Sequence, residues 1–349
     1  DFTTDEPYGV SAQIIPWNFP VEMTARSLSA ALTTGNTVVV KPPEMTPLSN
    51  AWFAHAAEAV GLPKGAVNLV CGYGHQAGAA LSAHPDINQV VFTGSVATGI
   101  AIASAAAKNV VPCVLELGGK SAAIVHSDAD LVAMETDIRK GIFINAGQVC
   151  SAMSRIIVHE SRHDELVQRA VSIAESLSVG PGADRQTFGA NMGPMVSVKQ
   201  RDRAAGLVSE AVSQGAKLVT GGRAMNIPGA FLQPTVLAEV TPEMTIAQTE
   251  VFGPVLSVLR FREDAEAIEI ANGTDYGLVG GVFTRDLDRA TQVVRKIRAR
   301  QVFVNEWFAG SVETPFGGYG KSGYGREKGR EALWNYVQTK NIAIKLKRT

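Results

Sequence analysis

In the first third of the chain, short β-branched runs alternate with segments of helical period, and no other feature restricts the fold so much. Residues 10–15, 37–40, 66–70, 89–92 and 113–117 read as buried strands. Residues 21–33, 47–59, 75–83 and 97–107 read as helices, with starts at Pro20, Pro47 and Ser95 and stops at Gly35 and Gly61. Strand–helix alternation of this kind implies a parallel, doubly wound sheet with ligand at the carboxyl ends of its strands. After Gly118-Gly119 the pattern restarts: a helix at 130–145, a strand at 154–158 and helices at 163–177 and 197–214. Strands near 217–220, 232–240 and 255–260 follow, then helices at 263–271 and 287–299. That is a second α/β unit, and 349 residues with 46% apolar content suit about two domains. A last strand, at 341–346, stands apart from both.

Composition removes several functions. Thirty-two basic residues against 33 acidic ones leave a net charge of −1, and the bases are scattered, which argues against a nucleic-acid or anionic-membrane surface. The short Lys345-Leu346-Lys347-Arg348 tail reads as solvated. Lys108 breaks the Ala-rich stretch at 100–111, so no run approaches the ~20 apolar residues of a membrane span. Three cysteines at unrelated spacings fit a reducing compartment, and with no secretion signal at the N-terminus a cytoplasmic location is expected. His159 and His163 are four apart, but Glu160-Ser161-Arg162 between them reads as a solvated turn, so no metal is expected.

Two runs carry chemistry. Cys150 ends Gly147-Gln148-Val149-Cys150, where a glycine-bearing turn lets a ligand approach a thiol; Cys71 and Cys113, in apolar strand-like runs, read as buried structural cysteines. Glu116 finishes an apolar strand just ahead of Gly118-Gly119-Lys120, and a carboxylate so placed must be satisfied or used. A thiolate adds to a carbonyl carbon, and a carboxylate draws a proton from the water that releases the resulting thioester. Gly72-Tyr73-Gly74 has Ala77 where a third glycine would complete the dinucleotide fingerprint, a partial match. Gly94-Ser95-Val96-Ala97-Thr98-Gly99 follows a strand and opens a helix, a setting for a pyrophosphate that many α/β proteins also use for packing alone.

Read with Pro16-Trp17-Asn18-Phe19-Pro20, Lys41-Pro42-Pro43-Glu44, Phe92-Thr93-Gly94-Ser95, Glu250-Val251-Phe252-Gly253-Pro254 and Pro315-Phe316-Gly317-Gly318, these runs resemble the NAD(P)-dependent aldehyde dehydrogenase superfamily along essentially the whole chain. The resemblance implies that Cys150 is the nucleophile, Glu116 the base for the deacylating water, and the Asn18 amide an oxyanion donor of ~3–4 kcal/mol. Glu116 favours hydrolysis to a free acid over transfer to coenzyme A. NAD would be held by Ile15, Trp17, Lys41, Glu44, Thr93, Gly94, Ser95, Leu117, Glu250 and Phe252, with NADP less favoured because Glu44 would meet its 2′-phosphate. The aldehyde tunnel would be lined by Phe19, Met23, Arg26, Trp307 and Phe308, suiting aromatic or longer aliphatic aldehydes. Arg26 is either a carboxylate-binding group or a structural arginine, and relatives with neutral substrates also carry Arg there. Arg330 stands where several members have Glu near a proton exit: that relay is unused here, or Glu331 replaces it.

The implied organisation is an NAD-binding domain over 1–118, a catalytic domain over 119–325 and a return segment with an oligomerisation strand over 326–349, residues 1–7 ending another ribbon strand. Because Asp1 opens the chain, an N-terminal segment is expected to be missing. The fragment alone would then be poorly soluble and its full-length parent a homodimer or homotetramer. The rivals to an active enzyme are a binding or structural protein with this fold, against which Cys150, Glu116 and Asn18 all argue, and a folded but inactive fragment, which the expected missing segment leaves open.

Overall fold

The computed structural model describes residues 1–182 and 192–346; Lys347 and Arg348 of the basic tail lie outside them. The chain separates into two compact units. The first comprises Asp1–Leu117, Ser311–Gly317 and the chain from Gly323 onward; the second comprises Gly118–Gly310 and Gly318–Ser322. The return to the first unit therefore begins at Ser311, well ahead of 326, and is interrupted once.

Among its described residues the first unit carries a six-stranded sheet, in the order Gly323–Tyr324, Cys113–Glu116, Gln89–Thr93, Val10–Ile14, Thr37–Lys41, Val67–Leu69. All neighbours are parallel except the Gly323–Tyr324 edge. The strands read as continuous apolar runs because both faces are buried. Val38, Val40, Val91 and Val114 face a core with Met23, Leu28 and Ala31 of the helix Pro20–Thr33. Ala12, Ile14, Val90, Phe92 and Leu115 face the other way, onto Ile102 and Ala106 of the helix Val96–Ala107. This is the period of two expected of a strand, and each buried Val, Leu, Ile, Met or Phe among them contributes about 1.5–3 kcal/mol. Pro20 sits at the first helical position, where its missing N–H costs nothing.

Sequence order reverses between Val10–Ile14 and Gln89–Thr93, so the crevice at the carboxyl ends of these two strands is the topological switch point where open α/β sheets bind ligands. Register brings Ile14 opposite both Lys41 and Phe92, and Thr93 opposite Glu116.

The second unit has a seven-stranded sheet in the order Gln301–Val304, Val279–Phe283, Ala122–Val125, Arg155–His159, Val255–Phe261, Thr235–Ala238, Lys217–Thr220, again counted among described residues. Only Lys217–Thr220 runs antiparallel. Two expected helices are cut short. The one at 130–145 ends at Ile138 and gives way to wider and tighter turns through Gly147, and the one at 287–299 ends at Val294.

The last strand is Val337–Ile342, not 341–346, and it pairs antiparallel with Phe2–Pro7. Its register is backed by Thr339 Oγ1 donating to Asp5 at 2.8 Å and by a Lys340–Glu6 ion pair. Cys71 is exposed just past the strand Val67–Leu69, and Cys113 is only half-buried, so neither is the fully buried thiol expected of an apolar run.

Candidate active site

In the first unit, candidate residues gather along the carboxyl edge of the sheet. Ile15 continues the Val10–Ile14 pairing by donating its N–H to the Lys41 carbonyl at 3.1 Å. Trp17, Asn18 and Phe19 form the half-buried turn between that strand and the helix Pro20–Thr33, and the Trp17 carbonyl accepts from Thr46 Oγ1 at 3.5 Å. Lys41 is buried, and its ammonium reaches the Glu44 carboxylate at 2.7 Å. Glu44 is 41% exposed, and its second oxygen accepts the Gly74 N–H at 3.4 Å. Burial pushes its carboxyl up, but the bonds from Lys41 and the backbone outweigh this and hold it below the usual range.

The Gly94 N–H donates to the Glu116 carbonyl at 3.0 Å, tying the Thr93–Ser95 turn to the neighbouring strand end. Ser95 caps the helix Val96–Ala107, its Oγ accepting the Thr98 N–H at 3.3 Å. A Cβ on Gly94 would strike the Phe92 ring, so the turn needs glycine for packing as well as for access. Leu117 is buried in the core beneath that helix.

Glu116 itself is buried. Gly317, at a φ of +153°, lies so close that a Cβ there would stand 2.9 Å from Glu116 Oε1. A second buried carboxylate, Glu327, was not singled out from the sequence. Its Oε2 is 3.5 Å from Arg26, and burial pushes its carboxyl up against that attraction. Both Glu327 and Glu116 act on the buried Tyr336, whose phenol burial has already raised. Arg26 also meets Glu22 at 3.0 Å and lies over the Phe316 ring at 5.0 Å, contacts of the structural kind. Met23 is buried in the core. Arg330 opens a short turn over Arg330–Asn335 that Glu331 also occupies.

In the second unit, three runs distant in sequence are packed together by glycines. Asn145, Ala146 and Gly147 all have positive φ, at 50°, 53° and 70°, which is costly for the first two. Gly147 abuts the Gly253 carbonyl with no room for a Cβ, and Gly119 abuts the Cys150 carbonyl in the same way. Cys150 is half-buried at the end of this turn. Gln148 braces it, donating to the Asn145 carbonyl at 2.9 Å and accepting the Val196 N–H at 2.7 Å. Phe252, half-buried, has a φ of +54°.

The Glu250 carboxylate accepts the Gly119 N–H at 2.9 Å, while Arg203 donates to the Glu250 and Val251 carbonyls at 3.0 Å each. Burial lifts the Glu250 carboxyl to about 7, against the pull of the Gly119 N–H, Lys120 and Arg203. Trp307 is 1% exposed; its indole donates to the Ser151 carbonyl at 3.1 Å and its N–H to Asp137 at 2.7 Å. It supports the segment after Cys150 from the core, with half-buried Phe308 6.3 Å away ring to ring.

His159 bonds Ser161 at 2.8 Å and His163 bonds Asp164 at 2.8 Å. Among the described residues, no three His, Cys, Asp or Glu side chains are grouped to hold a metal ion, and no helix is long and apolar enough to cross a membrane.

Comparison with known proteins decides the family. The pattern of the aldehyde dehydrogenase family matches residues 1–342. The chain belongs to the aldehyde dehydrogenase family. It is 44% identical over 346 residues to rat aldehyde dehydrogenase, cytosolic 1, covering 99% of this chain and 68% of that protein. A Bacillus cereus aldehyde dehydrogenase structure superposes with a TM-score of 0.94 at 43% identity, over 97% of this chain and 68% of that one. A Staphylococcus aureus betaine aldehyde dehydrogenase solved in complex with NAD+ gives 0.93 at 38% identity, over 97% and 67%. Membership of this family of NAD(P)-dependent enzymes makes aldehyde oxidation the chain's general activity.

Proposed function

We propose that the chain oxidises an aldehyde to the free carboxylic acid with NAD, through a thioester on Cys150. The Cys150 sulfur adds to the carbonyl carbon, and the Asn18 amide holds the oxygen as it becomes an anion. Bound NAD supplies the hydride acceptor. Glu116 then takes a proton from a water that attacks the thioester, so acid leaves and the thiolate returns. One observation carries this reading. In a member of the aldehyde dehydrogenase family, the thiol ends a turn held in strained left-handed backbone, and the carboxylate is buried at the end of a parallel strand.

The residues present fit a dinucleotide. Ser95 caps a 12-residue helix at the switch point, Gly94 leaves the approach clear, and Glu44 offers an exposed carboxylate at the next strand end. Thr93, Ile15, Trp17, Lys41 and Leu117 belong to the same edge, and Glu250 with Phe252 is assigned to the nicotinamide ribose and ring. The NAD+ complex of the betaine aldehyde dehydrogenase supports the choice of cofactor. Phe19 and Phe308, both half-buried, are assigned to the aldehyde. The two-stranded pairing of Phe2–Pro7 with Val337–Ile342 supports a homo-oligomeric ribbon, and the cytosolic relative supports a cytoplasmic location.

Glu116→Gln tests the division of labour. It should release about one NADH per site and then stall, because hydride transfer survives while deacylation does not. Steady turnover near wild type in that variant would refute the role given to Glu116.

A further inference from the structure

Lys120 is the least expected polar group of the second unit. It is 1% exposed, and its ammonium has no hydrogen-bond partner among the described residues. An ammonium taken out of water costs several kcal/mol unless a nearby charge answers it. Most neighbours do not. Arg155, also 1% exposed, donates to the carbonyls of Lys120, Ile270 and Ala271 at 3.0, 2.9 and 2.9 Å, so it stands beside Lys120 as a second cation. Arg203 is a third. Among the described residues, the one carboxylate acting on Lys120 is Glu250, which lies against the Gly118-Gly119 backbone, bonded to the Gly119 N–H and so close to Gly118 that a Cβ there would strike it. Tyr276, the remaining titratable group facing Glu250, lines a small polar cleft together with Lys120, Ser121, Arg155 and Thr274.

We infer that Lys120 is a positioning residue for Glu250: its buried ammonium keeps the carboxylate charged on the Gly119 N–H, leaving the other oxygen to accept from a ribose hydroxyl of NAD. The inference rests on the proposed assignment of Glu250 to that ribose. Burial draws both groups toward neutrality, Lys120 down to about 7 with Arg155 adding to the fall, and Glu250 up to about 7. Near neutral pH, loss of the ammonium leaves burial opposed only by the Gly119 N–H and Arg203. The carboxyl then stays protonated to higher pH, and a neutral carboxyl accepts a hydrogen bond more weakly than a charged one.

Calorimetric titration with NAD tests this without turnover, in wild type, Lys120→Met, Glu250→Gln and the double variant. Lys120→Met should weaken NAD about tenfold near pH 7, and the loss should shrink to about threefold or less near pH 9, where Glu250 ionises unaided. Added to Glu250→Gln, it should change affinity by about twofold or less. A loss equal at both pH values would mark Lys120 as merely structural and overturn the inference, as would unchanged affinity. A wild type that does not bind NAD refutes the functional reading itself. NAD binding that depends on Glu250 and ignores Lys120 refutes the positioning role alone. Should Lys120→Met not fold, Lys120→Gln is read the same way. If neither folds, wild-type affinity must fall on the acid side of neutrality and the fall must vanish in Glu250→Gln; a flat wild-type profile overturns the inference.

Discussion

Each unit sets a buried lysine beside a glutamate, and the two pairs behave in opposite ways. Lys41 reaches out to Glu44 at 2.7 Å, and Glu44 is 41% exposed, so water and the ion pair together keep the carboxyl below its usual range. Lys120 is buried and Glu250 half-buried, and burial drives both to about 7. The same residue types thus give a fixed charge at a surface and a titratable one deeper in the fold, because desolvation acts on both carboxyls and outweighs the favourable partners only at Glu250. The Glu44 pair is therefore insensitive to pH around neutrality and the Glu250 pair is not.

The largest effect expected separates both pairs from the chemistry. Cys150→Ala should lower aldehyde-dependent NADH formation by about a thousandfold or more, since no thioester forms. Its NAD affinity should stay within about twofold of wild type. Activity retained above that level would show that another group is the nucleophile. Loss of NAD binding in step with activity would show that the Cys150 turn is part of the cofactor site, and would blur the comparison.

A pair of glycine substitutions then probes the packing of each corner. Gly118→Ala puts a Cβ onto the Glu250 carboxylate, so the side chain or the backbone must shift, at about 1–3 kcal/mol and with NAD weakened about tenfold or more. Gly74→Ala puts a Cβ 3.8 Å from Glu44 Oε1, an ordinary contact, and should change stability by about 0.5 kcal/mol or less. Thermal unfolding and NAD titration read both. Equal effects at the two sites would mean that the interior corner is no tighter than the surface one.

How much of this was legible before the structure follows from which residues announce their surroundings. Gln89–Thr93 and Thr37–Lys41 were readable because Val and Phe fill them, and so was the turn that Ser95 caps. Val279–Phe283 was not, because Gly280 and Gly281 dilute its β-branched signal. A Cβ at 281 would enter the Trp307 ring and one at 280 would meet Ile297, so packing demands glycine inside that strand. Ala122–Val125, the central strand between Val279–Phe283 and Arg155–His159, is a continuous apolar run, but at four residues with two alanines it is too short to be told from a buried helical segment. The final strand was displaced toward Ile344 and Leu346, which are exposed, while the register belongs to the polar Thr339 and Lys340. Lys120 and Glu327 were invisible for a common reason. A charged residue in a sequence reads as solvated, and only the packing of distant segments reveals that it is not. Glu116 escaped that fate because it ends an apolar run.

The smallest effect is the one that most directly tests the surface pair. At a ribose edge the Glu44 carboxylate would accept hydrogen bonds well, whereas a 2′-phosphate would bring like charges together, with the Lys41 ammonium neutralising part of that repulsion. NAD should therefore be preferred over NADP by about tenfold in kcat/KM, or about 1.4 kcal/mol, and Glu44→Gln should narrow the gap mainly by improving NADP. The folded-state carboxyl is lowered, so it is ionised at every pH above the ordinary carboxylate range. Its share of the preference is consequently the same near pH 6 as near pH 9, and is lost only in acid as the carboxyl takes up its proton. The measurement is the NAD/NADP ratio in wild type and Glu44→Gln at one ionic strength across that range. A wild type that prefers NADP, or a ratio untouched by the substitution, removes Glu44 from cofactor choice. A Glu44-dependent ratio that titrates near neutrality would mean that the surface pair is no more fixed than the buried one.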